Sequence, residues 1–297
     1  MGIAIVRFNQ NQRGIVFALI TACGLGAITT QAKVVFADGG NALTLMLIRF
    51  LVSSLVFALL LSISRGSFKV SKAQRVPLAW LGLIWSGAMI CYLTSVETIP
   101  VSLAVLILYA YPLLVLSYSI IRRQLVASLP LVSLFALAFT GLYLALSGAD
   151  MEINFKGLIF AGLASLGAAY TFISGARVAT KVSPLLMTFW INATGLLMIL
   201  PMIPGNLELP RASTGMIALL AATLFYLIAI LSQFQALARL PAARAAFFLN
   251  LEPVVSILLA SLVLNEILSL QQWTGVILVI GVVILSIGIK SVPGTDT

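Results

Sequence analysis

Glu252 and Pro253 lie near the middle of the apolar stretch A-A-R-A-A-F-F-L-N-L-E-P-V-V-S-I-L-L-A-S-L-V-L-N-E, 25 residues from Ala242 to Glu266. At about 1.5 Å per residue this is enough to cross a bilayer with some tilt. A charged group at the centre of a span costs about 2.5–3.5 kcal/mol on insertion scales. A proline there removes one backbone hydrogen bond and kinks the helix. A simple anchor would carry neither. Two readings stand for Glu252. Either it points into a cavity around which the helix bends, or it is a buried structural partner. The default for an intramembrane ionisable group is function. A carboxylate in an apolar wall is also a candidate proton carrier, and a uniporter could use the same residue structurally.

Other residues could share its site. Arg49 stands about seven residues into a second apolar run, at a depth similar to that of Glu252. The two form a candidate pair, or two ends of a site that grips the carboxylate and amine of a zwitterion. The alternative for Arg49 is snorkelling to the outer interface. Trp85, Met89 and Tyr92 recur at helical spacing, and Tyr170, Trp190, Tyr226 and Gln233 sit inside further apolar runs. Such aromatic positions serve either as packing or as substrate walls. The substrate-binding candidates are Arg49, Trp85, Tyr92, Tyr111, Tyr170, Trp190, Asn192, Tyr226, Gln233 and Glu252, with Pro112 and Pro253 as hinges.

The elements that must position them repeat. Moving Thr98–Ser128 by 141 positions sets Pro100 on Pro241, Leu108 on Leu249, Pro112 on Pro253 and Ser128 on Ser269, with Tyr111 on Glu252. A shift of 143 sets Arg13-Gly14 on Lys156-Gly157, Gly24 on Gly167 and Arg49 on Asn192. Proline-interrupted segments at matching positions of two halves point to a transporter's binding site.

Composition narrows the class. Hydrophobic residues make up 61% of the chain and charged residues 8%, against about 25% charged in soluble domains; this is an integral membrane protein. The net charge of +9 reflects basic cytoplasmic loops rather than nucleic-acid binding. With no histidine and two cysteines, both in apolar runs, no metal site, Ser-His triad or structural disulfide is expected. No cofactor is expected either. The first apolar run continues to Phe36, so a cleaved signal peptide is not expected.

Apolar windows predict ten helices near 14–36, 42–63, 77–96, 99–121, 129–149, 157–179, 184–204, 213–236, 241–264 and 271–289. The domain reading is a tail over 1–13, a first repeat over 14–149, an external linker over 150–156, a second repeat over 157–289 and a tail over 290–297. One set of connections holds Arg7, Arg13, Arg65, Lys69, Lys72, Arg75, Arg122, Arg123, Arg177, Lys181, Arg239 and Lys290. The other holds Asp38, Glu97, Asp150, Glu152, Glu208 and Glu266, with Lys156 and Arg211 its loop cations. Both termini are therefore expected in the cytoplasm. Five spans per half is odd, so the halves enter the membrane upside down relative to each other, about an axis in its plane. No loop can hold a soluble domain, which disfavours a receptor or a membrane enzyme. Few cations lie within the spans, which disfavours a nucleotide-sugar or organic-phosphate antiporter.

The segment L-N-L-E-P-V-V-S-I-L-L-A-S-L-V-L-N-E-I-L-S resembles the carboxy-terminal signature of the EamA proteins of the drug/metabolite transporter superfamily. L-Y-A-Y-P-L-L-V is similar to the same signature in the first repeat, and Leu47-Ile48-Arg49-Phe50 to the family's second-helix Arg-Phe. The resemblance implies ten helices in two inverted repeats and a central cavity built from helices one to four and six to nine. It also implies export of amino acids and other metabolites. Cys23-Gly24 replaces the family's usual Trp-Gly, and Arg123-Gln124 stands where an acidic turn is common. The expectation is an alternating-access exporter of neutral, hydrophobic or aromatic amino acids in a bacterial inner membrane. Its partners are a small-molecule substrate and the bilayer, and it is a monomer or weak homodimer.

Overall fold

The computed structural model describes residues 9–96, 98–146, 154–264 and 267–288. Their regular structure is twelve α-helices and one 3-10 turn: α1 Gln10–Ala37, α2 Ala42–Ile63, α3 Lys72–Val96, α4 Val101–Leu108, α5 Tyr111–Ile121, α6 Leu129–Ala145, α7 Phe155–Ala179, α8 Pro184–Ile199, α9 Ser213–Leu237, α10 Ala242–Phe248, α11 Leu251–Leu264 and α12 Leu270–Gly288, with the turn at Leu200–Met202. Joining α4 to α5 and α10 to α11 gives the ten expected segments. Among the described residues, nine segments are long and apolar enough to cross a membrane, and Leu129–Ala145 is a shorter apolar helix. The chain is a multi-pass, all-α membrane protein.

Local chemistry sets the helix starts. The side chains of Asn9, Asn41, Asn154 and Ser183 each accept a hydrogen bond from a first-turn N–H of the helix that follows, and Asn9 forms a capping box with Gln12. The third span begins at Lys72, five residues before the expected start at Pro77, so that Pro77 lies inside the helix. Proline favours the first turn, but one bond missing close to an end is a small loss. Arg7, Glu97, Asp150, Glu152, Glu266 and Lys290 lie outside the described residues, as does most of the expected linker.

The packing obeys a two-fold exchange of halves. Helix α1 packs on α9, and its counterpart α7 packs on α3; α2 packs on α8 and α6 on α12, each pair mapping onto itself. Glycines make the first contacts close. A Cβ at Gly24 would lie 2.9 Å from Ala229 Cβ, and one at Gly167 would lie 2.7 Å from Ala88 Cβ. These two contacts are the same contact in two copies, since 143 positions separate the glycines and 141 the alanines.

Several packing pairs break the exchange, among them one between the broken spans. Helix α5 packs against α10, but their counterparts α11 and α4 form no packed pair; α11 leans on α1, and α4 on α7. Burial follows. In α10, Ala243 and Ala245–Phe248 are buried, whereas in α4 only Ala104 is. The closed end is the one bearing Arg122, Arg123 and Arg239, the end that the charge pattern predicts to face the cytoplasm. At the other end the halves are tied through their α1–α2 and α8–α9 connections: Asn41 Nδ2 donates to Asn206 O at 2.7 Å, Thr44 Oγ1 to Glu208 O at 2.7 Å, and the Ala212 amide to Asp38 Oδ2 at 2.7 Å.

Gly141 and Gly275 face each other where α6 and α12 meet, whereas a Cβ at Gly281 would meet nothing within 4 Å. A side chain at Gly275 would strike the backbone of Ala145 and the Gly141 carbonyl oxygen. Gly275→Leu is expected to cost about 1–3 kcal/mol by overpacking. The measurement is thermal unfolding in detergent; an unchanged midpoint would contradict the close approach.

Candidate functional site at the two helix breaks

The expected kinks are full breaks. Each proline deprives a carbonyl of its i+4 donor, Leu108 for Pro112 and Leu249 for Pro253. The chain leaves the helix for two residues before resuming: Tyr109 and Ala110 in the first half, Leu249 and Asn250 in the second. Tighter bonds close the gaps, with the Leu113 amide donating to Ala110 O at 3.0 Å and the Glu252 amide to Leu249 O at 2.9 Å. Asn250 Nδ2 donates to Phe247 O at 2.8 Å, occupying a carbonyl at the end of α10. A span broken in this way supplies irregular backbone at membrane depth, which is tolerated where it lines a cavity or is covered by protein.

The first polar centre forms around Glu252. This residue is half-buried, whereas Pro253 and Val254 beside it are buried. The Tyr109 hydroxyl pairs with its carboxyl group, and Tyr92 and Tyr111 lie within its electrostatic range. Tyr109 and Tyr111 are each 4% exposed. Their ring centroids lie 5.8 Å apart, and Tyr111 stacks on Phe172 at 5.1 Å. The centre thus draws on α3, α7 and both broken spans. It is a carboxylate among aromatic rings with no ion-pair partner among the described residues, a constellation suited to an ammonium group.

The second centre forms around Arg49. Its guanidinium carbon lies 5.0 Å from the Tyr226 ring centroid and 5.3 Å from that of Phe50. Trp85 approaches the Tyr226 hydroxyl from α3, though without good hydrogen-bond geometry. Arg49 Nε, Trp85 Nε1, the Tyr226 hydroxyl and the Ser53 and Ser86 hydroxyls are buried with no protein partner. Arg49 Nε and Trp85 Nε1 can only donate. Arg49 is half-buried although Phe50 and Tyr226 are sealed. It forms no ion pair with Glu252 among the described residues, so the two are separate centres. The centre joins a guanidinium to N–H and O–H donors with no acidic side chain among the described residues, and it fits a carboxylate.

The other candidates divide. Asn192 is fully buried on α8, its Nδ2 donating to Thr188 O at 2.7 Å and its Oδ1 unpartnered. Gln233 is buried on α9 with both amide atoms unpartnered. Trp190 is half-buried, its Nε1 unpartnered, and its ring packs on Phe189 at 5.8 Å. Tyr170 does not join them. It shares an exposed face of α7 with Leu163 and Leu166, at 36%, 47% and 57% exposure. Spacing alone cannot tell this lipid-facing stripe from the inward one. Pro112 and Pro253 are both buried in the interior. The residue missing from the sequence reading is Tyr109. The repeat carried a signal for it: the 141-residue shift sets Tyr109 on Asn250, inside the two matching breaks. Among the described residues no cluster of His, Cys, Asp and Glu could hold a metal ion.

Two broken spans meeting at one polar centre, with a second polar centre on α2, α3 and α9, inside helices related by exchange of halves, define a membrane carrier built from two repeats. The sequence matches the EamA-like transporter family over residues 12–147 and 155–288, and the chain belongs to that family. This is a transporter family and not an enzyme family. A crystal structure of a protein 17% identical in sequence superposes with a TM-score of 0.76, covering 91% of this chain and 97% of its own, and shares the fold. No curated protein matches the sequence.

Proposed function

We propose that this transporter exports neutral amino acids with hydrophobic or aromatic side chains, and related zwitterionic metabolites, across a bacterial inner membrane by alternating access. The observation that carries the reading is Glu252, half-buried at a helix break among three tyrosines and, among the described residues, with no ion-pair partner. The ammonium group of the substrate binds there, its carboxylate binds at Arg49, and the aromatic and aliphatic walls take its side chain. The packed α5–α10 contact and the unpaired α4 and α11 correspond to a state open to the outside, from which an exported molecule leaves. Arg49 is the cation of the two centres, which is too little charge to offset the desolvation of a phosphate dianion.

The test is flux of labelled amino acids through liposomes containing the purified chain. Saturable flux of aromatic and aliphatic amino acids, with none of sugar phosphates, is the expected result. No flux of any neutral amino acid would reject the substrate class.

A further inference from the structure

A basic cleft lies apart from the helix breaks, at the start of α1 and the end of α9, the end that the charge pattern predicts to be cytoplasmic. Arg13, Val16, Phe17 and Arg239 line a cleft of about 310 Å³. Gly14 brings its walls together: a Cβ there would lie 2.7 Å from Leu240 Cγ and 3.0 Å from Arg239 Cβ. Arg239 is held in place. Its Nη1 donates to Gln235 O at 2.7 Å and also to Gln235 Oε1, and its guanidinium carbon lies 5.1 Å from the Phe17 ring centroid. Its Nε is nevertheless buried without a partner. Close by, Arg244 Nη1 donates to Asn11 Oδ1 at 3.0 Å, where α10 packs against α1.

Two guanidinium groups thus line one cleft with no acidic side chain in its wall among the described residues, and they repel each other unless an anion lies between them. The cleft continues into apolar surface. One and two turns from Arg13 along α1, Val16 and Ile20 are 40% and 36% exposed. On α9, packed against α1, Ile228 and Leu224 lie three and four turns from Arg239 and are 46% and 56% exposed. These residues form a lipid-facing track that starts at the basic cleft.

We infer that this cleft binds the phosphate of an anionic phospholipid from the cytoplasmic leaflet, with an acyl chain along the α1–α9 track. A basic pocket between spans on the cytoplasmic side is the expected form of such a site. The lipid clamps the start of α1 to the α9–α10 connection.

The test is the thermal stability of the purified full-length chain in a neutral detergent, titrated with short-chain phosphatidylglycerol. Saturable stabilisation is expected, with phosphatidylcholine and inorganic phosphate giving little. In the double variant Arg13→Gln/Arg239→Gln the half-saturating concentration is expected to rise about thirtyfold, at about fivefold per basic residue. Arg13→Gln alone, at an exposed position whose loss cannot unfold the chain, is expected to show the single fivefold step. Lys72→Gln, at the first residue of α3, is expected to leave the response unchanged. Equal stabilisation by inorganic phosphate would overturn the lipid assignment in favour of a free phosphate. A response unchanged in the double variant, or weakened equally by Lys72→Gln, would overturn the site.

Discussion

Replacing Glu252 with glutamine is expected to cut the flux of zwitterionic amino acids by at least about thirtyfold. Removing one member of a desolvated charge pair costs about 2–5 kcal/mol, and about 1.4 kcal/mol is a factor of ten. Glutamine keeps the size of the side chain and can still accept from Tyr109, so folding survives, and a thermal midpoint near that of the wild type checks this. What it loses is the negative charge, with no other acid at the centre to replace it. Tyr109→Phe, which removes only the hydroxyl paired with Glu252, is expected to have a smaller effect, about tenfold or less, as for the loss of one hydrogen bond to a charged group. Wild-type flux in Glu252→Gln would show that the carboxylate is structural and would remove the ammonium site.

The second large effect concerns access. Ser256 lies one turn beyond Glu252 on the same face of α11, in the outer half that has no packed partner in α4. Ala245 lies in α10, 1% exposed, where α10 meets α5. In a background with Cys23 and Cys91 changed to serine, Ser256→Cys is expected to react readily with a membrane-impermeant maleimide added from outside. Ala245→Cys is expected to react about ten- to a thousandfold more slowly from the cytoplasmic side, since a state lying a few kcal/mol higher is populated at about 0.1–10%. A saturating transported amino acid changes both rates if it favours one state over the other. Equal rates at the two positions would contradict the asymmetry between the packed and unpaired halves of the broken spans.

Much of this was legible in the chain. Hydropathy alone located every span, because lipid exposure demands about 20 consecutive apolar residues whatever the neighbouring helices do. Pro112 and Pro253 located the breaks, since a missing N–H acts on its own turn of helix. The extent of each break was less legible. Proline predicts a kink, whereas the two unwound residues before it depend on what the freed groups find, such as the bond from Asn250 Nδ2 to Phe247 O. The site was legible by residue type and not by partner. Arg49 and Glu252 are the two charged groups of the interior centres, which suggests a pair; in the fold each has its own aromatic surroundings. Tyr170 has the same credentials in sequence as Tyr92, yet it lies on the outer stripe of α7.

The sequence by itself determined that the chain spans the membrane repeatedly, that its basic and acidic connections separate, that its halves are copies, and where two spans must break. Each of these follows from properties read over one turn or one span: hydropathy, charge and the chemistry of proline. Only the tertiary structure decided that Tyr109 meets Glu252, that Arg49 and Trp85 both meet Tyr226, and that α5 and α10 close while α4 and α11 stand apart. Those outcomes depend on how each helix is rotated about its own axis and pressed against partners more than a hundred residues away. In helices that are apolar on nearly every face, no periodic pattern specifies that rotation.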